Sequence, residues 1–342
     1  MIFVTDVGGS KDSLQILSIK FSDYEQEQLF KTGIAIKLYE TNTKQSFNDL
    51  AETSYITQTY ITNDDDGYKE TDLEEIVEGI DMMTLDDDSK YNDLSSNKDI
   101  TGSKLHNRVY VVREIRTGKS ALGYFKHDNE NELTYKGKIQ IKNLENEPFT
   151  PSKVIQYKSD GNLLLLNNND PSTVSVLNLT KGKVVEEWET ISSYYGGVKD
   201  ICPINKNADM SDIQQIYGMN KDSIFMIDGR IPADSKVVHS KSISYTNDMQ
   251  FNTISTSGIG FIAVGSGDGK IRLYNNVGQK AKTRLPGLGN KINYIEVSND
   301  GLWILATCTD YIMVIPTKVK GTERTGFEGQ GMTKKINLMH IY

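Results

Sequence analysis

Between residues 260 and 315, apolar runs and polar turns follow one another in the order of a four-stranded antiparallel unit. Residues 261–264 form an apolar run and Gly267-Asp268-Gly269 a tight turn. Residues 270–274 then alternate, with Ile271 and Leu273 on one face, because successive β side chains point to opposite sides. Asp-Gly between two such runs signals a hairpin, since Gly accepts a positive φ without steric cost. After an outer run at 279–285 the order begins again: residues 292–297, the turn Asn299-Asp300-Gly301, residues 303–308, then residues 311–315. The pattern predicts four-stranded blades with Ile262, Val264, Ile304 and Leu305 in their core.

The same order recurs upstream. Runs at 163–166 and 174–177, and at 215–217 and 223–227, repeat the inner pair of strands. Leu163, Gln214, Gly260 and Leu302 are equivalent points, spaced 51, 46 and 42 residues apart. These spacings bracket the period of roughly 40–50 residues found in propeller blades. A weaker unit, 109–112 followed by 120–125, adds one more, so about five blades are expected between residues 104 and 318. Short strands with regular turns also make β-sandwiches, but a sandwich gives no reason for an internal period. The expected fold is all-β, a divergent WD-repeat-like β-propeller. The divergence is specific: Leu273-Tyr274 stands where the Trp-Asp pair of that repeat falls, and Gly287-Leu288-Gly289 where its Gly-His falls. Without the hydrogen-bond network of that His and Asp, apolar packing must hold the blades.

Length and composition change the picture in two ways. At 342 residues the chain is long enough to bury a large core and to hold a second unit. The start, Met1-Ile-Phe-Val4, is too short for a signal peptide, and no apolar run approaches the ~20 residues of a membrane span. A cytoplasmic chain is expected, with the nucleus left open. Cys202 and Cys308 fall in predicted strands and read as buried free thiols. Asn178-Leu179-Thr180 is a glycosylation sequon without meaning in a chain that is not secreted.

Charge is placed unevenly. From Asp64 to Asp99 fourteen Asp/Glu face three Lys, a net of −11, whereas the whole chain carries −8. Low apolar content and high net charge read as a disordered acidic linker over residues 51–103. Within it Leu73, Ile76, Val77, Ile80, Met82 and Met83 offer a sharper reading, an acidic-amphipathic docking motif. With Gly67 at the sixth position of an EF-hand loop, the first would be Thr62 and the twelfth Leu73, which excludes a calcium loop.

Ahead of the linker, residues 14–21 read as a strand. Ser22-Asp-Tyr-Glu25 then has the capping-box spacing, and Phe30, Ile34 and Leu38 share one helical face. One strand and one amphipathic helix are too little for an independent domain.

Several longer motifs carry a resemblance. Pro151-Ser-Lys153, Lys183-Val-Val-Glu-Glu-Trp188, Ala281-Lys-Thr-Arg-Leu-Pro286 and Asp300-Gly-Leu-Trp-Ile-Leu-Ala-Thr-Cys308 occur in order. From about Arg108 to Phe327 the chain resembles the C-terminal propeller of the fungal vacuolar import and degradation protein twenty-seven family. The strand and helix before the linker, through Tyr39-Glu40 and Ser46-Phe47, resemble the end of that family's pleckstrin-homology-like domain, here residues 1–50. The resemblance implies a cytosolic, non-enzymatic role linked to protein import and degradation. It also implies further strands beyond the segment resembling 326–342, so an incomplete or differently closed ring is expected over 104–342.

No chemistry is spelled out. His106, His127, His239 and His340 stand singly, without zinc-ligand spacing. Gly265-Ser-Gly-Asp-Gly-Lys270 lacks phosphate-loop spacing and precedes no helix, so it reads as a hairpin turn. No catalytic residue, cofactor or metal is expected. The overall negative charge disfavours nucleic acid, and Lys318, Lys320, Arg324, Lys334 and Lys335 read as a solvated basic loop. Protein partners are expected on a non-enzymatic scaffold; the alternatives are a phosphoinositide or membrane-surface adaptor and a propeller enzyme with a channel active site. Arg272 and Arg284 are the candidate partner contacts, because Arg combines apolar stem and directional donors. Trp303, Tyr274, Trp188, Asp300 and Gly301 are expected to be structural.

Overall fold

The computed structural model describes residues 2–6, 14–18, 24–43, 47, 96–103, 107–116, 119–127, 133–158, 161–167, 169–190, 196–206, 208, 213–232, 235–329 and 337–340. The acidic motif at 73–83, the EF-hand-like loop, residues 51–95 of the expected linker, His106 and the Lys334–Lys335 pair lie outside the described residues. At the start, β1 (Ile2–Asp6) pairs antiparallel with β2 (Leu14–Ser18), one strand more than the sequence pattern predicts. Helix α1 (Tyr24–Thr43) follows where the capping-box spacing places it. The side chains of Ile34 and Leu38 lie outside the described residues, but Tyr39 is buried, with Phe47 packed edge-on to its ring at 5.9 Å. Glu40 accepts from the Phe47 amide at 3.2 Å and from Lys37 at 2.6 Å, which fixes the turn out of the helix.

Five four-stranded antiparallel sheets follow, each laid out in sequence order from its innermost to its outermost strand. Blade 1 is β3 (Ser96–Ser103), β4 (Arg108–Arg116), β5 (Lys119–His127) and β6 (Leu133–Gln140). Blade 2 is β7 (Lys153–Tyr157), β8 (Asn162–Leu166), β9 (Thr173–Asn178) and β10 (Lys183–Glu189). Blade 3 is β11 (Asp200–Pro203), β12 (Gln215–Met219), β13 (Ser223–Asp228) and β14 (Val237–Ser244). Blade 4 is β15 (Phe251–Thr256), β16 (Ile262–Ser266), β17 (Ile271–Tyr274) and β18 (Thr283–Leu285). Blade 5 is β19 (Tyr294–Val297), β20 (Trp303–Thr307), β21 (Tyr311–Pro316) and β22 (Asn337–His340). The first blade starts at Ser96, so residues 96–103, read from the sequence as linker, form an inner strand.

One hydrophobic layer lies between each pair of neighbouring blades. Tyr110, Val112 and Leu122 of blade 1 meet Leu163 and Leu165 of blade 2, while Leu164 and Leu166 turn the other way to meet Phe225 and Ile227 of blade 3. Ile224 and Met226 of blade 3 then meet Ile262 and Val264 of blade 4. Ala263 and Leu273 of blade 4 meet Ile295, Ile304 and Met313 of blade 5, and Tyr39 of α1 joins this last layer. A middle blade is therefore covered on both faces. That is why its strands are continuous apolar runs, such as Leu163-Leu-Leu-Leu166, with no alternation. The inner strands adjoin in the series β3, β7, β11, β15, β19, and among the described residues no comparable contact joins β19 back to β3.

The end blades differ. Along β20 burial alternates, with Ile304 and Ala306 buried but Trp303 47% and Leu305 43% exposed. Two sequence expectations are corrected here: Leu305 is not in the core, and Trp303 does not pack between blades. Alternation places both on the face of blade 5 that no following blade covers. Trp303→Ala is accordingly expected to shift unfolding free energy by no more than about 1 kcal/mol in a denaturant titration; a loss of about 3 kcal/mol or more puts the indole back in the core.

Candidate functional site

Four residues expected to be structural are Trp188, Tyr274, Asp300 and Gly301. Trp188 is 1% exposed between blades 2 and 3, and Tyr157 stands edge-on to its ring at 5.3 Å. Tyr274 is fully buried between blades 3 and 4, its hydroxyl 3.1 Å from that of Tyr245. Burial is the main reason its phenol is held far above the ordinary range. At the last pre-strand turn the Asp300 carboxylate accepts from Ser298 Oγ at 2.5 Å and from the Leu302 amide at 2.9 Å. Gly301 follows at φ +73, where a Cβ would sit 3.1 Å from the Phe261 ring. That position needs glycine on both counts.

The two candidate arginines separate. Arg284 is exposed on β18. Arg272, its cross-strand neighbour, is only 5% exposed; it donates to Ser266 Oγ at 2.8 Å and lies 5.4 Å over the Phe251 ring. Its place in the alternating run between Ile271 and Leu273 sends it to the same side as Tyr274, into the layer between blades. Arg272 is thus unavailable to a partner, and the expectation that it offers a contact is corrected. The thiols are buried and free, Cys202 in β11 and Cys308 just past the end of β20. Burial raises both, Cys308 to about 11.

A polar cluster that the sequence does not announce lines the inner strands. Asp99 of β3 accepts the Val154 amide of β7 at 2.5 Å. Asp200 of β11 repeats the device two blades on, accepting the Ile254 amide of β15 at 2.9 Å through one oxygen and its neighbour Ile201 through the other. Each carboxylate therefore stitches one inner strand to the next. Lys153 of β7 lies 3.8 Å from Asp200 and 5.8 Å from the centre of the Tyr294 ring. Asp200, and less strongly Asp99, raise the ammonium above its ordinary range. Burial pushes the Asp99 carboxyl up, with Lys153 opposing that shift. Nearby, Glu296 of β19 pairs with Lys206 and accepts from Ser255 Oγ at 3.1 Å. Carboxylates thus converge on the channel, but amides and ammonium groups already hold them. Among the described residues no group of His, Cys, Asp and Glu is arranged to hold a metal ion.

The second feature is the uncovered face of blade 5. Cross-strand register puts Glu296 opposite Leu305 and Leu305 opposite Val314. Tyr294, 50% exposed, and Trp303 flank them. This is a sheet face of aromatic and aliphatic side chains around the Glu296 carboxylate, which Lys206 and Ser255 hold. A third feature is an open cleft of about 550 Å³ between the loops of blades 2 and 3, lined by Pro171, Gly196, Gly197, Lys199 and Lys221.

Radially stacked four-stranded sheets define a WD40-like propeller. The family model for the VID27 C-terminal WD40-like domain matches residues 95–337, and the chain belongs to the VID27 family. It is 34% identical over 235 residues to vacuolar import and degradation protein 27 of Saccharomyces cerevisiae, covering 67% of this chain and 29% of that protein. It is 33% identical over 227 residues to vacuolar import and degradation protein 27 of Schizosaccharomyces pombe, covering 65% of this chain and 27% of that protein. The chain thus spans less than a third of the length of these relatives. Among solved structures, the Neurospora crassa Pan2 WD40 domain is similar with a TM-score of 0.45 and 12% identity over 65% of this chain and 63% of that one.

Proposed function

We propose that this propeller is a non-enzymatic protein-docking scaffold in the vacuolar import and degradation of cytosolic proteins. The observation that carries the reading is the uncovered face of blade 5, where Tyr294, Trp303 and Leu305 are each more than 40% exposed on one sheet surface. Contiguous apolar patches of this kind are costly in water and mark protein contacts. The channel supports the same reading, because among the described residues Asp99 and Asp200 are engaged as inter-strand stitches and Glu296 is paired with Lys206. The vacuolar role rests on the names of the relatives.

Affinity capture with wild-type, Leu305→Glu and Arg284→Ala baits, read by mass spectrometry, tests it. Leu305→Glu is expected to lose the protein set that the wild type retains. Identical sets from the wild-type and Leu305→Glu baits contradict docking at blade 5. Arg284→Ala changes a side chain on the outermost strand of blade 4; it is expected to leave the melting temperature within about 1–2 °C of wild type while weakening capture. An unfolded blade contradicts the surface role of Arg284.

A further inference from the structure

The face that blade 4 turns toward blade 3 changes character along one row of cross-strand neighbours. Read outward from the axis, Ile254 of β15 pairs with Val264 of β16, Val264 with Arg272 of β17, and Arg272 with Arg284 of β18. Directly paired residues share a face, with Cβ atoms roughly 4.5–5.5 Å apart. The row therefore starts in the apolar layer shared with Met226 of blade 3. It ends in two guanidiniums, Arg272 only 5% exposed and Arg284 open to solvent. Like charges directly opposite one another destabilise a sheet.

Among the described residues neither guanidinium has a carboxylate partner. Arg272 is held by neutral groups, Ser266 Oγ and the Phe251 ring. Asp268, the acid whose charge reaches Arg272, is itself bound by Lys270 at 2.5 Å. Burial lowers the Arg272 pKa, and Arg284 acts in the same direction, as a like charge does. The surrounding chain adds no counter-charge, since residues 275–291 carry four cations and no acid. Two adjacent guanidiniums without an acid suit an oxyanion, which each can meet with a fork of donors. Their joint charge matches a phosphoryl group, which carries about −1.5 to −2 at pH 7, better than a single carboxylate.

We propose that Arg284, with the charge of Arg272 beneath it, seats the phosphoryl group of a phosphorylated partner protein at the rim between blades 3 and 4. The proposal rests on the reading of Arg284 as a partner contact and names what that contact recognises. Arg284 supplies the hydrogen-bonding fork. Arg272, closed to a protein surface, supplies charge from its cross-strand position.

Thermal unfolding of the full chain in inorganic phosphate, and in sodium chloride of matched ionic strength, tests this for wild type, Arg284→Ala and Arg284→Glu. Phosphate also stabilises folded chains in general through exclusion from their surface, so the readout is the difference between proteins. The rise caused by phosphate is expected to be about 2–4 °C larger in wild type than in either variant. In chloride, Arg284→Glu is expected to melt about 2 °C above wild type, because it gives Arg272 the missing carboxylate. Equal rises in all three proteins overturn the proposal, as does an Arg284→Glu variant that melts below wild type in chloride. Affinity capture from a phosphatase-treated lysate separates a phosphoprotein from free phosphate. The wild-type bait is then expected to lose the same proteins that Arg284→Ala loses, and their retention overturns the proposal. If Arg284→Ala weakens capture while all three proteins respond equally to phosphate, the contact at Arg284 stands and the phosphoryl group is wrong.

Discussion

Trp188→Ala is expected to lower the unfolding free energy by about 3–5 kcal/mol, the range for emptying a large aromatic from a core. The indole is 1% exposed and sits in the layer between blades 2 and 3 with Val198, Ile201 and Phe225. Little can collapse into its space. The backbone at Gly229 already lies against the ring, so close that a Cβ there would stand 2.6 Å from Trp188 Cζ2. Trp188→Phe is expected to cost less than half as much, because the indole N–H has no hydrogen-bond partner to lose and the ring face against Tyr157 is kept. Chemical denaturation of the three proteins measures this. A loss below about 1 kcal/mol for the alanine variant shows that the layer between blades 2 and 3 does not depend on the ring.

Lys153→Ala is expected to have the second largest effect, and a pH-dependent one. Removing the ammonium leaves Asp99 and Asp200 facing a poorly solvated channel without their shared cation. Breaking a fully buried pair costs about 3–5 kcal/mol; here the side chain of Lys153 is 22% exposed, so about 2–3 kcal/mol is expected near neutral pH. Asp99 already has a folded-state pKa above its ordinary value. Its native state therefore binds a proton more readily than the unfolded chain, and its ionisation costs stability as pH rises through the raised value. Loss of Lys153 removes the term that opposes that shift. The part of the deficit that belongs to Asp99 is thus expected to vanish at acid pH, where that carboxyl is neutral, and to appear as pH rises through its raised value, on top of a part set by the Asp200 contact at 3.8 Å. Melting temperatures across this range test it; a deficit independent of pH means that Lys153 does not act through Asp99.

Much of the propeller is legible in the chain because a blade covered on both faces writes itself as unbroken apolar runs. Leu163-Leu-Leu-Leu166 and Ser223-Ile-Phe-Met-Ile227 admit no other placement once their spacing repeats. Three features were hidden. The inner strand β3, Ser96-Asn-Lys-Asp-Ile-Thr-Gly-Ser103, has one large apolar residue and follows an acidic stretch; backbone pairing with β4 and the bond from the Val154 amide to Asp99 hold it, neither visible in residue type. Leu305 and Trp303 look like core in the sequence because alternation shows that two faces exist, not which is covered. Arg272 suits a partner contact by residue type, an apolar stem with directional donors, whereas its position in the Ile271–Tyr274 strand sends its stem into a layer that Ser266 and the Phe251 ring make tolerable.

The channel cluster also lacks a motif. Asp99, Lys153 and Asp200 lie in three different blades, and each alone is an ordinary charged residue beside a strand. A usable signal was their placement, since single acids recur on the innermost strands β3, β11 and β19, the strands that face the axis.

A sealed blade stack ends in a solvent-exposed apolar face, and the two tryptophans report on its two halves. Acrylamide quenching of fluorescence in dilute solution compares wild type with Trp303→Phe, which leaves Trp188 as the sole tryptophan. The Trp303→Phe protein is expected to quench weakly, from an indole sealed between blades 2 and 3. The additional wild-type signal is expected to quench several-fold more steeply, as for an indole nearly half exposed. Equal, weak quenching of both signals means that the face of blade 5 is covered within the single chain, and contradicts the account.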